Sequence, residues 1–383
     1  MRVALVGDEY YPDVGGASRY ALELSLQLVK LGVETVVITH AHPGQPEEDE
    51  CAGVTIRRVK GLVLKDPHRA VSPLVFRRCH RYVDEGRFDV VHGLDMYSSM
   101  AQMVVHYAHR RRIPCVLTCH SICNSPFLTG VQRPMGLSLR KADRLIAVSR
   151  ASARFGRLLG FREERIAIIP NGVDLSCFNQ ETDGSLMRKE LGIGGAPLIV
   201  TALRLIKRKN PDLLISAFGR VLKVIPGAKL VIAGSGRESN RLSHQAERLN
   251  INDSVSMAGQ LERERLAQLM AAADVFVLPS TVESFGLSLL EASAVGVPVV
   301  CADTGGIPET FQHEFNALLY PPGDDNAMAE AIVRLIQEKE LAQRIRANAL
   351  KTASRLTWGL AAERTLRVYE QVLQENASSC PHD

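Results

Sequence analysis

Short runs of β-branched and apolar residues recur along this chain, separated by longer stretches of helical character. Residues 1–170 contain RVALVG, VETVVIT, VTIRRV, FDVVHG, IPCVLTC, RLIAVS and RIAIIP. Each run has the length of a strand and the apolar character of a buried one. Helical stretches such as Ser18–Leu31 lie between them. A second series follows: LIVTAL, AKLVIAG, SVSMAG, VFVLP, PVVCA and ALLY. Alternation of this kind builds parallel sheets covered by helices on both faces. The chain is therefore predicted to be α/β, with two Rossmann-like, doubly wound parallel-sheet domains and ligand edges at the carboxyl ends of their strands. A cleft between the domains follows from that architecture. Length agrees, because 383 residues exceed the ~250–300 at which a single core stops growing. Between the series, NGVDLSCFNQETDGSLMRKELGIGGAP is rich in turn formers and reads as a linker with one short helix. Residues 1–170 are assigned to the first domain and 171–358 to the second.

Composition narrows the class. With 46% hydrophobic and 23% charged residues, the chain resembles an ordinary soluble protein. No apolar stretch reaches the ~18 residues of a membrane span. Met1 runs directly into a strand, which leaves no room for a signal peptide, so a cytoplasmic location is expected. Eight irregularly placed cysteines fit reduced thiols better than a disulfide framework. Cys115, Cys119 and Cys123 beside His120 are the one group that could ligate a metal. Their spacing is not a zinc pattern, and Cys115 sits within a strand, so no metal is expected. Net charge is +4, with 24 Lys/Arg against 17 Asp/Glu in residues 1–170. That excess is too mild for a nucleic-acid binder. Between His68 and Arg87, Val71, Leu74, Val75, Tyr82 and Val83 recur at helical spacing among Arg69, Arg77, Arg78 and Arg81. Two readings fit: a surface helix packed on a sheet, or a patch for anionic headgroups or an acidic acceptor.

Chemistry concentrates in PSTVESFGLSLLEA. The preceding ADVFVLPS reads as a strand ending near Pro279, and the next helix starts close to Gly286. Glu283 is thus placed in the strand-to-helix loop and Glu291 about one turn inside the helix. Helical side chains tilt toward the N-terminus, so Glu291 leans toward the free amides of Phe285, Gly286, Leu287 and Ser288. Those amides and the helix dipole favour an anion. A phosphorylated ligand there would meet one carboxylate suited to a ribose-like diol and another suited to a second set of hydroxyls. A nucleotide diphosphate sugar fits that description.

Other signals lie at strand ends. Gly15 and Gly16 precede a helix after the first strand, and paired glycines let amides approach an anion. The loop is neither G-x-G-x-x-G nor a Walker loop, which argues against a dinucleotide or ATP enzyme. In TALRLIKRKNPDLL, Asn210 and Pro211 read as N-cap and first helical residue. Arg204, Lys207, Arg208 and Lys209 crowd the positive pole of that helix. A bound diphosphate would make such crowding favourable, and Arg204 and Lys209 flank the turn; Lys207 and Arg208 read as solvated. His120 closes CVLTCHS, either as a satisfied capping side chain or as a partner for a sugar hydroxyl. Gly234, Gly236, Gly305 and Gly306 serve tight turns or approach a ligand. Ser149, Asn171 and Asp174 are placed on the cleft side.

The glycine loop, IPNGVD, the Arg204 and Lys209 pair, ESFGLSLLEA and GGIPE occur in the order seen in the retaining GT-B glycosyltransferases. The chain resembles that family, which includes bacterial mannosyltransferases and the catalytic subunit of the GPI-anchor N-acetylglucosaminyltransferase, over essentially its whole length. The resemblance implies that Glu283 positions the donor sugar, Glu291 holds the ribose, and Arg204 and Lys209 stabilise the departing diphosphate. It further implies that the 285–288 amides and Gly16 touch the diphosphate and that His120 contacts the donor sugar. A last helix near 359–375 would pack back on the first domain, which binds the acceptor; the second binds the donor. The expected activity is transfer of a hexose or N-acetylhexosamine from a nucleotide diphosphate sugar, UDP by family frequency, to an acceptor hydroxyl. No cofactor or metal is expected, because no Asp-x-Asp clamp is evident and the two cations can replace it. The partners are the donor and a small-molecule or lipid-linked acceptor, with peripheral contact at the inner face of the membrane and no nucleic acid. Three alternatives compete: a non-hydrolysing UDP-sugar 2-epimerase of the same fold, a nicotinamide dehydrogenase, and a catalytically inactive binding subunit.

Overall fold

The structure is a computed structural model that describes residues 1–13, 15–61, 73–122 and 139–378. The chain divides into two compact units, Met1–Asn171 with Trp358–Asp383, and Gly172–Thr357.

In the first unit the strands are β1 (Arg2–Val6), β2 (Glu34–His40), β3 (Glu48–Cys51), β4 (Val54–Val59), β5 (Val90–Gly93), β6 (Cys115–Cys119), β7 (Arg144–Ala147) and β8 (Ile166–Ile168). The helices are α1 (Gly16–Lys30), α2 (Pro73–Gly86), α3 (Ser99–Arg111), α4 (Arg150–Leu158) and the C-terminal α12 (Trp358–Ser378). The strands form one sheet in the order β3-β4-β2-β1-β5-β6-β7-β8. All pairs are parallel except β3 with β4. No apolar run announces β3, because EDEC is exposed at all four positions. A charged edge strand of this kind discourages pairing with another chain. The core packs Ala4, Val36, Ile38, Val91 and Leu117 of the sheet against Met100, Val104 and Phe155 of the helices.

The second unit contains β9 (Leu198–Ala202), β10 (Lys229–Ala233), β11 (Val255–Gly259), β12 (Val275–Leu278), β13 (Val299–Ala302) and β14 (Leu318–Tyr320). Its helices are α5 (Ser185–Glu190), α6 (Pro211–Val224), α7 (Ser239–Arg248), α8 (Arg263–Ala272), α9 (Leu287–Ala294), α10 (Asp325–Gln337) and α11 (Lys339–Ser354). The sheet order is β11-β10-β9-β12-β13-β14, parallel throughout. Ile199, Leu230, Ile232 and Val277 face Phe218 and Ile332 in its core.

Every strand read from the sequence is present, with one correction of character. The edge strand β8 is half-exposed and not of the buried type, and β11 at the edge of the second sheet is half-exposed too. An edge has a neighbour on one side only, so its side chains are less completely covered. The first helix starts at Gly16, so that glycine opens the helix and does not precede it.

Candidate active site

Doubly wound sheets place ligands where the chain reverses its direction of winding, since loops leaving adjacent strands there part to opposite faces. In the second unit that point lies between β9 and β12: the chain runs outward through β10 and β11, then returns to the other side of β9. The loop after β9 carries Arg204 and Lys209, and the loop after β12 carries Glu283. The two loops meet. Lys209 Nζ donates to Glu283 Oε2 at 2.5 Å, and the two side chains are only 17% and 12% exposed. Asn210 Nδ2 donates to Thr281 Oγ1 at 2.9 Å, Thr304 Oγ1 to the Thr281 carbonyl at 2.8 Å, and the Gly306 amide to the Glu283 carbonyl at 3.0 Å. These bonds hold the backbone on which Glu283 is carried. Arg204 is exposed and has no ion-pair partner among the described residues.

Asn210 corrects one expectation. It occupies the residue before Pro211 of α6 but adopts left-handed backbone, φ 48°, and makes no side-chain cap. Its amide reaches across to Thr281, so it ties the two loops together where a helix cap was expected.

α9 begins at Leu287 with Gly286 before it at φ 91°. No side chain caps this helix, and no acidic residue lies in its first turn. Its positive pole is therefore uncompensated, which favours an anion at the 285–288 amides. Phe285 is buried and fixes the approach to the helix. Glu291 is partly buried one turn in. α1 starts in the same way: Gly15 provides no side-chain cap, the first turn has no acidic residue, and Gly16 is exposed.

In the first unit, His120 lies just beyond β6. Its ring meets Tyr20 edge-on at 4.4 Å between centroids. Burial lowers its pKa to about 4, against a hydrogen bond with the Leu94 carbonyl that favours the charged form. Its Nε2 is shut off from solvent without a hydrogen-bond partner among the described residues. The imidazole is thus neutral near pH 7, and with its N–H committed to Leu94 it presents a lone pair at Nε2. A buried acceptor left without a donor is costly, and a ligand hydroxyl would relieve it.

Several other candidates serve the fold. Gly234 and Gly236 have φ 128° and 156°, and a Cβ on them would fall 1.9 Å and 2.2 Å from the Leu203 and Leu205 carbonyl oxygens. Close backbone approach explains both glycines. Ser149 caps α4 by accepting from the Ser152 amide. Asp174 pairs with Arg263 at 3.1 Å and accepts from the Ser176 amide and hydroxyl. Asn171 is buried, with Oδ1 unpartnered among the described residues. Burial raises the thiols of Cys115 and Cys119, the latter to about 12, which opposes the thiolate form that metals bind. Cys123 lies outside the described residues, as do His68, Arg69 and Val71 of the basic helix. Of that helix, Val75, Tyr82 and Val83 are buried as a packing face. Arg78 pairs with Glu47 and Arg81 with Glu85. No helix among the described residues is long and apolar enough to cross a membrane.

Comparison with known proteins places this geometry. Residues 14–176 match the model of Glycosyltransferase Family 4, and residues 185–352 that of Glycosyl transferases group 1. A D-inositol 3-phosphate glycosyltransferase from Frankia alni is 32% identical over 95% of this chain and 96% of its own. The chain belongs to the group 1 glycosyltransferases. A second D-inositol 3-phosphate glycosyltransferase, from Nocardia farcinica, is 30% identical over 95% of this chain and 86% of its own. A phosphatidylinositol N-acetylglucosaminyltransferase subunit from Arabidopsis thaliana is 27% identical over 98% and 83%. Among solved structures, Anabaena HepE in complex with UDP and glucose superposes with a TM-score of 0.80 at 23% identity, covering 99% of this chain and 100% of that one. Sucrose-phosphate synthase from Thermosynechococcus elongatus gives 0.85 at 23%, covering 98% and 100%. These likenesses show the GT-B fold. Family membership leaves the epimerase, dehydrogenase and inactive-binder readings without support.

Sequence reasoning missed Thr281 and Tyr20. Thr281 lies two residues before Glu283 in an unremarkable polar loop, and only the crossing of two loops makes it a strut. Tyr20 occupies an apolar position of α1 and reads as ordinary core until His120 is seen against it.

Proposed function

We propose that this glycosyltransferase moves a hexose or N-acetylhexosamine from a nucleotide diphosphate sugar, UDP in preference to GDP or ADP, to a hydroxyl of a phosphorylated polyol, with retention at the anomeric carbon and without a metal. The observation that carries the reading is the partly buried Lys209–Glu283 pair at the winding reversal, with Glu283 in the loop that leads into the uncapped start of α9.

In the reaction the bond from the anomeric carbon to the diphosphate oxygen breaks, and a bond from the acceptor oxygen to the same face of that carbon forms. The acceptor proton passes to the leaving diphosphate. Negative charge grows on the diphosphate as positive charge grows on the sugar. Lys209 and Arg204, with the 285–288 amides and the start of α1 at Gly16, stabilise the first. Glu283 already holds Lys209 in place, and preorganised charge of this kind is usually the largest contribution to such catalysis. Glu283 also positions the sugar, Glu291 takes the ribose hydroxyls, and the His120 lone pair accepts from a sugar hydroxyl. The cations do the work that a divalent ion performs elsewhere. A phosphorylated acceptor is supported by two relatives whose names include inositol 3-phosphate and phosphatidylinositol and by the basic excess of residues 1–170. The lipid form of that acceptor would bring the enzyme to the inner face of the membrane.

A thermal-shift panel of sugar nucleotides tests the donor, since a ligand at ~100 times its dissociation constant stabilises by ~2.7 kcal/mol. The donor that wins is then supplied with inositol phosphate in the presence of a chelator, and the product's anomeric coupling is read by NMR. Stabilisation by a UDP sugar and a retained product are expected. An unmoved melting curve throughout the panel, or an inverted product, overturns the reading.

A further inference from the structure

Beneath His120 runs a chain of buried hydroxyls and one buried imidazole that the transfer itself does not use. The Tyr369 hydroxyl of α12 lies 2.6 Å from His92 Nδ1, and His92 Nε2 lies 2.6 Å from Thr118 Oγ1. Thr118 Oγ1 is 3.1 Å from the Tyr20 hydroxyl. Thr365, one turn before Tyr369, is buried in the same region and directs its own Oγ1 to the Ala361 carbonyl at 2.8 Å. All five side chains are 2% exposed or less.

A neutral imidazole donates at one ring nitrogen and accepts at the other, so the Tyr369 and Thr118 hydroxyls play opposite parts toward His92, one donating and the other accepting. Burial, with nearby His120 as the smaller cause, lowers the His92 pKa to about 3, which keeps the ring neutral.

The chain abuts the candidate site at Tyr20. That ring stands edge-on to His120 at 4.4 Å and 70°, and edge-on to Trp358 at 6.0 Å and 66°. Trp358, Thr365 and Tyr369 lie on one face of α12, where the side chains at 361, 362, 368 and 372 are also buried. We propose that Tyr20 is a positioning residue for His120, fixed in turn by α12 through the buried hydrogen-bond chain Tyr369–His92–Thr118–Tyr20. Turning Tyr20 away would break its bond to Thr118 inside a tightly buried core, so His120 leans on a wall that does not move. The inference rests on the reading that His120 contacts the transferred sugar.

The test uses the full chain with ¹⁵N-labelled histidine and long-range ¹H–¹⁵N spectra, which report the tautomer of each ring without any substrate. His92 is expected as a neutral ring and His120 as the Nδ1–H form. Thr118→Val cuts the chain at nearly constant volume; it should shift the His120 ring signals and lower kcat roughly tenfold with KM for the donor nearly unchanged. Thr118→Ser, which restores the hydroxyl, should restore both. Tyr20→Phe keeps the ring and gives a second cut if the valine variant folds poorly. A doubly protonated His92 at neutral pH overturns the chain, and unchanged His120 signals in both variants overturn the positioning. Full turnover by His120→Ala would instead remove the role of His120 in transfer, while the spectra still decide whether Tyr20 holds it.

Discussion

Lys209 and Glu283 form the contact on which the proposed donor site turns, and each can be removed in a different way. Glu283→Gln keeps an acceptor for Lys209 Nζ and removes the charge. We expect kcat to fall ~10²–10³-fold, the range for losing one preorganised electrostatic partner, with UDP binding and melting temperature nearly unchanged. Lys209→Ala should cost as much in kcat and also lower the melting temperature, because it strands a carboxylate whose side chain is only 12% exposed. Steady-state kinetics beside calorimetry separates the two. Equal turnover in wild type and Glu283→Gln would sink the assignment. At this scale the sequence was informative where a residue type is unusual for its setting. Two carboxylates framing an uncapped helix start, and cations at a helix's positive pole, stand out because ordinary packing does not call for them. Asn210 was misjudged for a related reason: its preference for N-caps is local, and a partner 71 residues away outweighed it.

At the scale of elements, the start of α9 depends on one backbone angle. Gly286 sits at φ 91°, and a Cβ there would meet Leu289 Cδ1 at 3.0 Å. Gly286→Val therefore faces strain of ~1–2 kcal/mol from the left-handed backbone alone and reorients the amides before Leu287. Reduced stability and at least tenfold weaker UDP binding are expected from calorimetric titration. Unchanged affinity would show that these amides do not hold the diphosphate. Strands and helices were legible because their periodicity is written in successive residues. β3 was not: its four residues are all exposed, so no burial pattern marks them, and only pairing with β4 makes them a strand. Gly234 and Gly236 read equally well as ligand contacts or turn residues until the Leu203 and Leu205 carbonyls were seen against them.

At the scale of the whole molecule, the acid sensitivity that comes from histidine belongs to the first unit. The histidines whose pKa is lowered, His80, His92, His106 and His120, all lie there. His92 and His120 titrate at about 3 and about 4 when folded, against ~6.5 when unfolded. Between pH 6.5 and 4 the unfolded chain thus binds up to two more protons than the folded one. Stability is present in full above pH 6.5 and falls as pH drops, by up to ~1.4 kcal/mol per pH unit for each histidine. Urea midpoints at pH 7, 5.5 and 4.5 should decline steadily, before carboxylates enter. A flat profile would show that these rings are hydrated or already charged.

The amino-acid order by itself determined that the chain is α/β, that it holds two doubly wound sheets, and at which strand ends its glycines, cations and carboxylates gather. Those properties follow from periodicity and from residue types at neighbouring positions. The tertiary structure alone decided what sits against what: Lys209 on Glu283, Asn210 on Thr281, and a tyrosine of the last helix on a histidine 277 positions earlier. Such pairs depend on sheet order and crossing loops, and a contact between distant residues leaves no periodic trace in the chain that makes it.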